Sequence, residues 1–317
     1  MQLRYSAADP VAYPGILNFG DELNRFIVPN LLPGYFDAQY EDVDLLGIGT
    51  ILGMLVPPSG PERQTIVFSS GLGLGSAKGG YGVAPRSNSN LDVVCVRGPY
   101  TAAAMGLPAS KAVVDGAVLL RHLITDAAPP GSAPVFVPHM WSVLAGGGAW
   151  ERVCREAGLR YIDPLTGDIF GTIDAIRGAP FVVAEAMHAA IVAETFGVPW
   201  IAVATNRTIN EFKWQDWCRS MGHAYSPVHL PKLFASENVT KEIARRLQRS
   251  HCPMPLVKAA RAYERTVGAR RFRDAHAGLK AIMTSSDFVQ PDERLLATRL
   301  DQLFTCLDDI RARYPLA

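Results

Sequence analysis

Val182-Val183-Ala184-Glu185-Ala186-Met187-His188-Ala189-Ala190-Ile191-Val192-Ala193-Glu194-Thr195-Phe196-Gly197-Val198-Pro199-Trp200-Ile201-Ala202-Val203-Ala204 is the stretch on which the fold turns. An apolar run gives way to small and apolar residues at helical spacing, Gly197-Val198-Pro199 stops the helix, and a second apolar run follows. The reading is strand, helix, strand: one βαβ unit, which implies a parallel sheet. Ligands of such sheets lie outside the carboxyl ends of the strands. Glu185 and His188 stand there, three apart in the expected first helical turn. An imidazole beside a positive helix end, with a pKa near neutrality, can bind an anion or move a proton. The competing reading is a capping glutamate with a satisfied core histidine.

Working outward, the same unit repeats. Asp44-Leu45-Leu46-Gly47-Ile48-Gly49-Thr50-Ile51-Leu52-Gly53 reads as a buried strand ending in a glycine turn, and Thr65-Ile66-Val67-Phe68-Ser69-Ser70-Gly71-Leu72-Gly73-Leu74-Gly75 as another. The spacing Gly47-x-Gly49-x-x-x-Gly53 has one residue too many for a dinucleotide fingerprint and no acidic residue about 20 positions on, so NAD binding is rejected. What remains is a turn with free amides, suited to a phosphate, a carboxylate or a sugar hydroxyl. Leu91 to Val96 is a third strand, with Arg97 at its carboxyl end placed to fork onto a phosphate or carboxylate, or to hold the strand end by a salt bridge. Val113 to Leu120 is expected as a further strand and turn, with Asp115 structural. Near the N-terminus, Asn18-Phe19-Gly20-Asp21 opens a helix with Leu23, Phe26 and Ile27 on one stripe. The glycine between two polar residues marks a tight turn or a close approach of backbone to a ligand.

Asp126 to Ala133, rich in Pro, Gly and Ala, reads as a linker. Beyond it Pro134-Val135-Phe136-Val137-Pro138-His139 is a strand ending in a histidine, as though a second half had begun. A helix around Trp150 to Ala157, a strand at Arg160 to Asp163 and a helix near Asp168 to Arg177 lead back to the first unit. The fold class is therefore α/β, with two Rossmann-like domains, 1–127 and 128–317, facing a central cleft. Past Val203, Arg207 and Lys213 stand among aromatics, and Trp214 and Trp217 read either as core or as a platform for a sugar face. Residues 237–317 are helical and amphipathic, the last helix expected to pack back on the N-terminal domain. Cationic clusters at Arg245-Arg246 and Arg270-Arg271-Phe272-Arg273 mark a solvated face, with membrane-surface contact as the minority reading.

Composition bounds the function. With 31 basic against 30 acidic residues in 317, no global field favours nucleic acid or anionic membrane. The 5 cysteines are scattered singly, which argues against a zinc site or disulfide scaffold and for a reducing cytoplasm. No uncharged apolar run approaches a membrane span, and the N-terminus lacks the pattern of a secretory signal. Peripheral attachment stays open.

Taken in order, the Asn18-Phe19-Gly20-Asp21 loop, Gly47-Ile48-Gly49-Thr50-Ile51-Leu52, Ser69-Ser70-Gly71, Arg97 with Thr101, Asp115-Gly116-Ala117, and His188 with Gly197-Val198-Pro199 resemble the polysaccharide pyruvyl transferase family, over roughly residues 15–220. The likeness is greatest to its exopolysaccharide, succinoglycan-type branch. The resemblance implies a GT-B-like fold, phosphoenolpyruvate as co-substrate with no cofactor or metal, and a hexose hydroxyl pair on a lipid-linked oligosaccharide as acceptor. With the cysteine usage above, the expected location is the cytoplasm, with peripheral contact at the inner face of the membrane left open. The first domain would take the acceptor, through Asn18, Asp21 and Gly49, with Trp214 reaching from the second. The second would take the donor, with Arg97, His139, the Ser69, Ser70 and Gly71 turn, Arg207 and Lys213 as its partners. His188 would be general acid or phosphate partner, Glu185 its orienting group and Asp21 the acceptor-side base. Where the family usually carries Arg-Leu-His, this chain has Ala186-Met187-His188, so Arg207 or Lys213 must supply the missing cation. The alternatives are a nucleotide-sugar glycosyltransferase on the same scaffold and a non-catalytic carbohydrate-binding protein.

Overall fold

The computed structural model describes residues 1–5, 17–52, 63–73, 90–131, 133–206, 209–234, 258, 262 and 264–316. Two parallel sheets carry the fold. The first has strands β1 (Gln2–Arg4), β2 (Val43–Leu46), β3 (Gln64–Ser70) and β4 (Leu91–Val96), paired in that order. The second has β5 (Val135–Val137), β6 (Arg160–Tyr161), β7 (Val182–Ala184), β8 (Trp200–Ala204) and β9 (Val228–His229), in the order β6-β5-β7-β8-β9. Its strand order reverses between β5 and β7, the topological switch point where the carboxyl ends of a parallel sheet open a crevice. His139 follows β5 and Glu185 follows β7, so the sequence delivers both to that point.

Helices α1 (Phe19–Leu31), α2 (Pro99–Ala104) and α3 (Leu120–Leu123) belong to the first half of the chain. In the second lie α4 (Met140–Gly146), α5 (Gly148–Ala157), α6 (Ile169–Arg177), α7 (Met187–Thr195), α8 (Glu211–Ser220), α9 (Ala269–Met283) and α10 (Glu293–Arg313). Helix α7 explains why the opening stretch shows no amphipathic stripe. Every one of its residues except His188 is buried, because it packs on β7, β8 and α6 on one side and on α1, α3 and a 3-10 turn at Gly116–Leu119 on the other. A helix enclosed all round has to be apolar all round. The largest cluster of buried side chains accordingly runs without a break from Leu45 and Phe68 through Ala190 and Ile191 to Val182 and Trp200.

Helix α10 starts beside the second sheet and ends on the first. Asp292 caps it, accepting from the amides of Arg294 and Leu295, and the Asp292 amide donates to Glu194 at the end of α7. Its last turns bury Leu303, Leu307 and Ile310, and Arg311 donates to the Leu31 carbonyl at 2.7 Å. The expected strand at Val113 to Leu120 does not form. Only one bridge, Val96 to Ala112, extends the sheet there, because Asp115 accepts from the Ala117 amide and turns the chain into a 3-10 helix. Among the described residues no helix is long and apolar enough to cross a membrane. Arg207, Arg245, Arg246 and nearly all of the glycine-rich 76–90 segment lie outside the described residues.

Candidate active site

The ends of β2, β3 and β4 are locked together by side chains expected to bind a ligand. Ser69 and Ser70 are fully buried. Ser69 Oγ donates to the Val114 carbonyl at 2.7 Å, Ser70 Oγ donates to the Gly47 carbonyl, and the Gly71 amide donates to the Gly49 carbonyl at 2.9 Å. Ser69 holds a φ of 67°, a left-handed conformation that costs a non-glycine residue about 1–3 kcal/mol unless its surroundings fix it. The expected anion cradle at Ser69, Ser70 and Gly71 is thus spent on packing the strand ends.

Arg97 is likewise not a free fork. It is fully buried, donating through Nε to Asp216 of α8 at 3.1 Å, through Nη1 to Thr50 Oγ1 at 3.0 Å and through Nη2 to the Leu72 carbonyl at 2.8 Å. Gly71 makes room for it, since a Cβ there would lie 2.2 Å from the guanidinium carbon. Asp216 also accepts from the Tyr100 and Thr101 amides, at 2.9 and 3.0 Å, and from Thr101 Oγ1 at 2.6 Å. Helix α2 begins at Gly98, which has no side chain to cap it, so a carboxylate from α8 caps it instead. The salt-bridge alternative for Arg97 describes the structure.

Glu185 does not orient His188. Helix α7 starts at Met187, which leaves Glu185 in the preceding loop rather than in the same turn. Its buried carboxylate ties three strand ends together, accepting from the His139 amide at 2.9 Å, the Thr205 amide at 2.9 Å and Thr205 Oγ1 at 2.6 Å. Trp214 is no sugar platform either. It is fully buried, stacked 5.2 Å from Tyr225 and 6.3 Å from Trp200, because its position on α8 faces β8 while Lys213 and Asp216 share the other face.

What converges on the junction of the two sheets is Asp21, His139, His188 and Lys213. All four are half-buried. Asn18 donates to Asp21 Oδ2 at 2.7 Å instead of capping α1, and Gly49 lies beside Asp21 with a φ of 122°. The His188 ring rests on Gly20, where a Cβ would fall 2.0 Å from Nδ1. Asn210 caps α8 by accepting from the Lys213 amide at 3.2 Å. Burial pushes Lys213 down to about 8, with Arg97 adding to it and Asp21, Asp115 and Glu185 opposing. Burial, then Lys213, pushes both His139 and His188 down to about 3, with Arg97 contributing at His188. Burial raises Asp21 and Asp115 to about 6 against the pull of Asn18 and Arg97 respectively. The site therefore holds an ammonium, two neutral imidazoles and carboxylates titrating near neutrality, a set that can receive an anion and move protons around it. Burial, Lys213 and Arg97 therefore hold the pKa of the His188 ring well below neutrality, contrary to its unperturbed value.

Sequence reasoning missed Asp216, which reads as an ordinary polar residue of an amphipathic helix, and the closeness of Asp115 to His188, whose Oδ2 and Nε2 lie 3.9 Å apart. Among the described residues no group of three or more His, Cys, Asp or Glu side chains is placed to hold a metal ion. A sequence model of the polysaccharide pyruvyl transferase family matches residues 44–207, which span β2 to β8 and include Arg97, Asp115, His139, Glu185 and His188. The chain is also 36% identical over 230 residues to the succinoglycan biosynthesis protein ExoV of Rhizobium meliloti (strain 1021), covering 71% of this chain and 68% of that protein.

Proposed function

This chain belongs to the polysaccharide pyruvyl transferase family, and on that premise we propose that it transfers pyruvate from phosphoenolpyruvate to a hexose hydroxyl pair of an exopolysaccharide repeat unit, closing a cyclic ketal and releasing phosphate. The observation that carries the donor assignment is the convergence of Lys213, His139 and His188 around one junction, with Asp21 within electrostatic reach of Lys213. Lys213 is the cation that stands in for the arginine replaced by Ala186. It meets the phosphate or carboxylate of the donor, and the neutral rings donate hydrogen bonds to it.

In the reaction C3 of the donor gains a proton and C2 becomes cationic. The first acceptor hydroxyl traps C2 and loses its proton, phosphate leaves, and the second hydroxyl closes the ring and loses its own. A multiply anionic donor offsets the charge of Lys213 and favours the charged form of the adjacent ring. His188 accordingly takes up a proton with the donor and delivers it to C3. Asp21, raised to about 6, is the base for an acceptor hydroxyl at neutral pH. The reading assigns the site no cofactor or metal.

The wider arrangement follows the same reading. Residues 1–127 present the acceptor and 128–317 the donor in a GT-B-like pair of domains, supported by the way the strands divide between the sheets at the 126–133 segment. The acceptor is lipid-linked and met in the cytoplasm at the inner face of a membrane, with the exposed Arg270 and Arg273 of α9 as a contact for anionic lipid. The test is phosphate release from phosphoenolpyruvate with glucosyl and galactosyl acceptors, beside the same acceptors with UDP-sugars. Acceptor-dependent phosphate release supports the proposal. Turnover of UDP-sugars alone would make the protein a glycosyltransferase instead.

A further inference from the structure

Asp115 sits in the Gly116–Leu119 turn between the end of the first sheet and α7. One carboxylate oxygen, Oδ1, accepts from the Ala117 amide at 3.0 Å. The other, Oδ2, is buried and has no hydrogen-bond partner, and the same is true of His188 Nε2. These two orphans are 3.9 Å apart. Buried polar atoms are paired in the great majority of cases, and two unpaired ones facing each other just beyond hydrogen-bond reach are one interaction awaiting a small adjustment. The surroundings restrict where that adjustment can occur. Gly116 lies so close to β3 that a Cβ would meet Ile48 at 2.8 Å and Ser69 Oγ at 3.0 Å, while Gly20 bears on the opposite side of the ring at Nδ1. His188 keeps 11% of its side chain exposed, and Nε2 is the nitrogen sealed from solvent.

We propose that Asp115 is a positioning residue for His188: its free oxygen holds the proton on Nε2, so that Nδ1 is the nitrogen offered to the reacting groups. Nothing in the turn's own structure needs the second oxygen, since the cap uses only Oδ1. The carboxylate also stabilises the imidazolium once the ring charges, as a fixed anion at short range does. Lys213 from α8 and Arg97 from the end of β4 also act on the ring, both as cations that disfavour its charging. Glu185 is turned away toward Thr205, Arg121 and Arg177 lie at the far end of α7, and Glu194 there pairs with His223. Asp115 is thus the carboxylate that meets Nε2. That the ring moves a proton rests on the pyruvyl-transfer reading; that Asp115 orients it does not.

The experiment is nitrogen NMR of the full-length protein with labelled histidine, at about pH 8 so that Asp115 is ionised, with His188→Gln to assign the signal. The expected tautomer of His188 carries its proton on Nε2. In Asp115→Asn the preference is lost, kcat falls by about 10²–10⁴-fold, the KM for phosphoenolpyruvate changes by less than about threefold, and the limb of the pH–rate profile due to the ring moves to lower pH. A proton on Nδ1 in the wild type overturns the proposal without any variant. So does an Asp115→Asn protein with unchanged tautomer and pH profile. If the wild type turns over no phosphoenolpyruvate, the donor assignment fails while the tautomer still decides the role of Asp115.

Discussion

Asp216→Ala should be among the most damaging single changes in the protein, and its cost can be worked from the contacts. The carboxylate accepts from Arg97 Nε, Thr101 Oγ1 and the amides of Tyr100 and Thr101, all in a fully buried setting. Removing it leaves a guanidinium without its counter-charge in the interior, worth about 3–5 kcal/mol. It also uncaps α2, for about another 1 kcal/mol. Against a typical total of about 5–15 kcal/mol, a loss of about 4–6 kcal/mol removes about a quarter or more of the stability. Arg97→Met should cost less, about 2 kcal/mol, because Asp216 keeps three of its four donors while only the neutral acceptors at Thr50 and Leu72 are left open. Urea unfolding at constant m measures both midpoints, and the double variant closes the cycle. An Asp216→Ala loss below about 1 kcal/mol, or an Arg97→Met loss that equals or exceeds it, would refute the assignment of Asp216 as a helix cap and charge partner at once.

Gly20→Ala places a methyl 2.0 Å from His188 Nδ1, so the ring must swing away; turnover should fall by about 10²-fold with a stability loss of about 1–3 kcal/mol, read by steady-state kinetics beside thermal melting. Lys213→Gln should weaken donor binding by about 10²-fold and, by removing the cation that depresses both rings, raise the histidine pKa values seen by NMR titration. Asp21 is held at about 6 against its ordinary 3.8, so it favours folding only while protonated, and its contribution is lost as pH rises through that range. Asp21→Asn should therefore match the wild type near pH 4 and be more stable by about 2 kcal/mol above pH 6.5, while losing activity; equal stability at both pH values in paired melts would show that the carboxyl is not desolvated.

Much of the fold was legible because its signals are local. An apolar run that ends in a glycine turn reads as a buried parallel strand wherever it falls, and the run of small and apolar residues at 189–193 reads as the middle of a helix. The same locality put His139 and His188 at strand or helix ends facing one edge. Legibility failed wherever a side chain's role depends on a partner far along the chain. Arg97 and Asp216 are 119 residues apart, and no pattern around either says that one neutralises the other. An offset of two residues, with α7 starting at Met187, detached Glu185 from His188 and gave it to Thr205 and the His139 amide. Trp214 and Lys213 are neighbours on one helix, yet one is core and the other lines the site, as the 100° step between successive helical residues requires.

The sequence by itself determined most of the elements, their parallel pairing and the edge at which chemistry could occur, because apolar periodicity and turn residues act within a few positions. Only the tertiary structure decided which ionisable groups are free to act. Burial and charge pairing are properties of three-dimensional neighbours: they consumed Arg97, Glu185, Ser69 and Ser70, left Lys213, His139, His188 and Asp21 at the junction, and brought Asp115 to 3.9 Å from an imidazole from the other half of the chain.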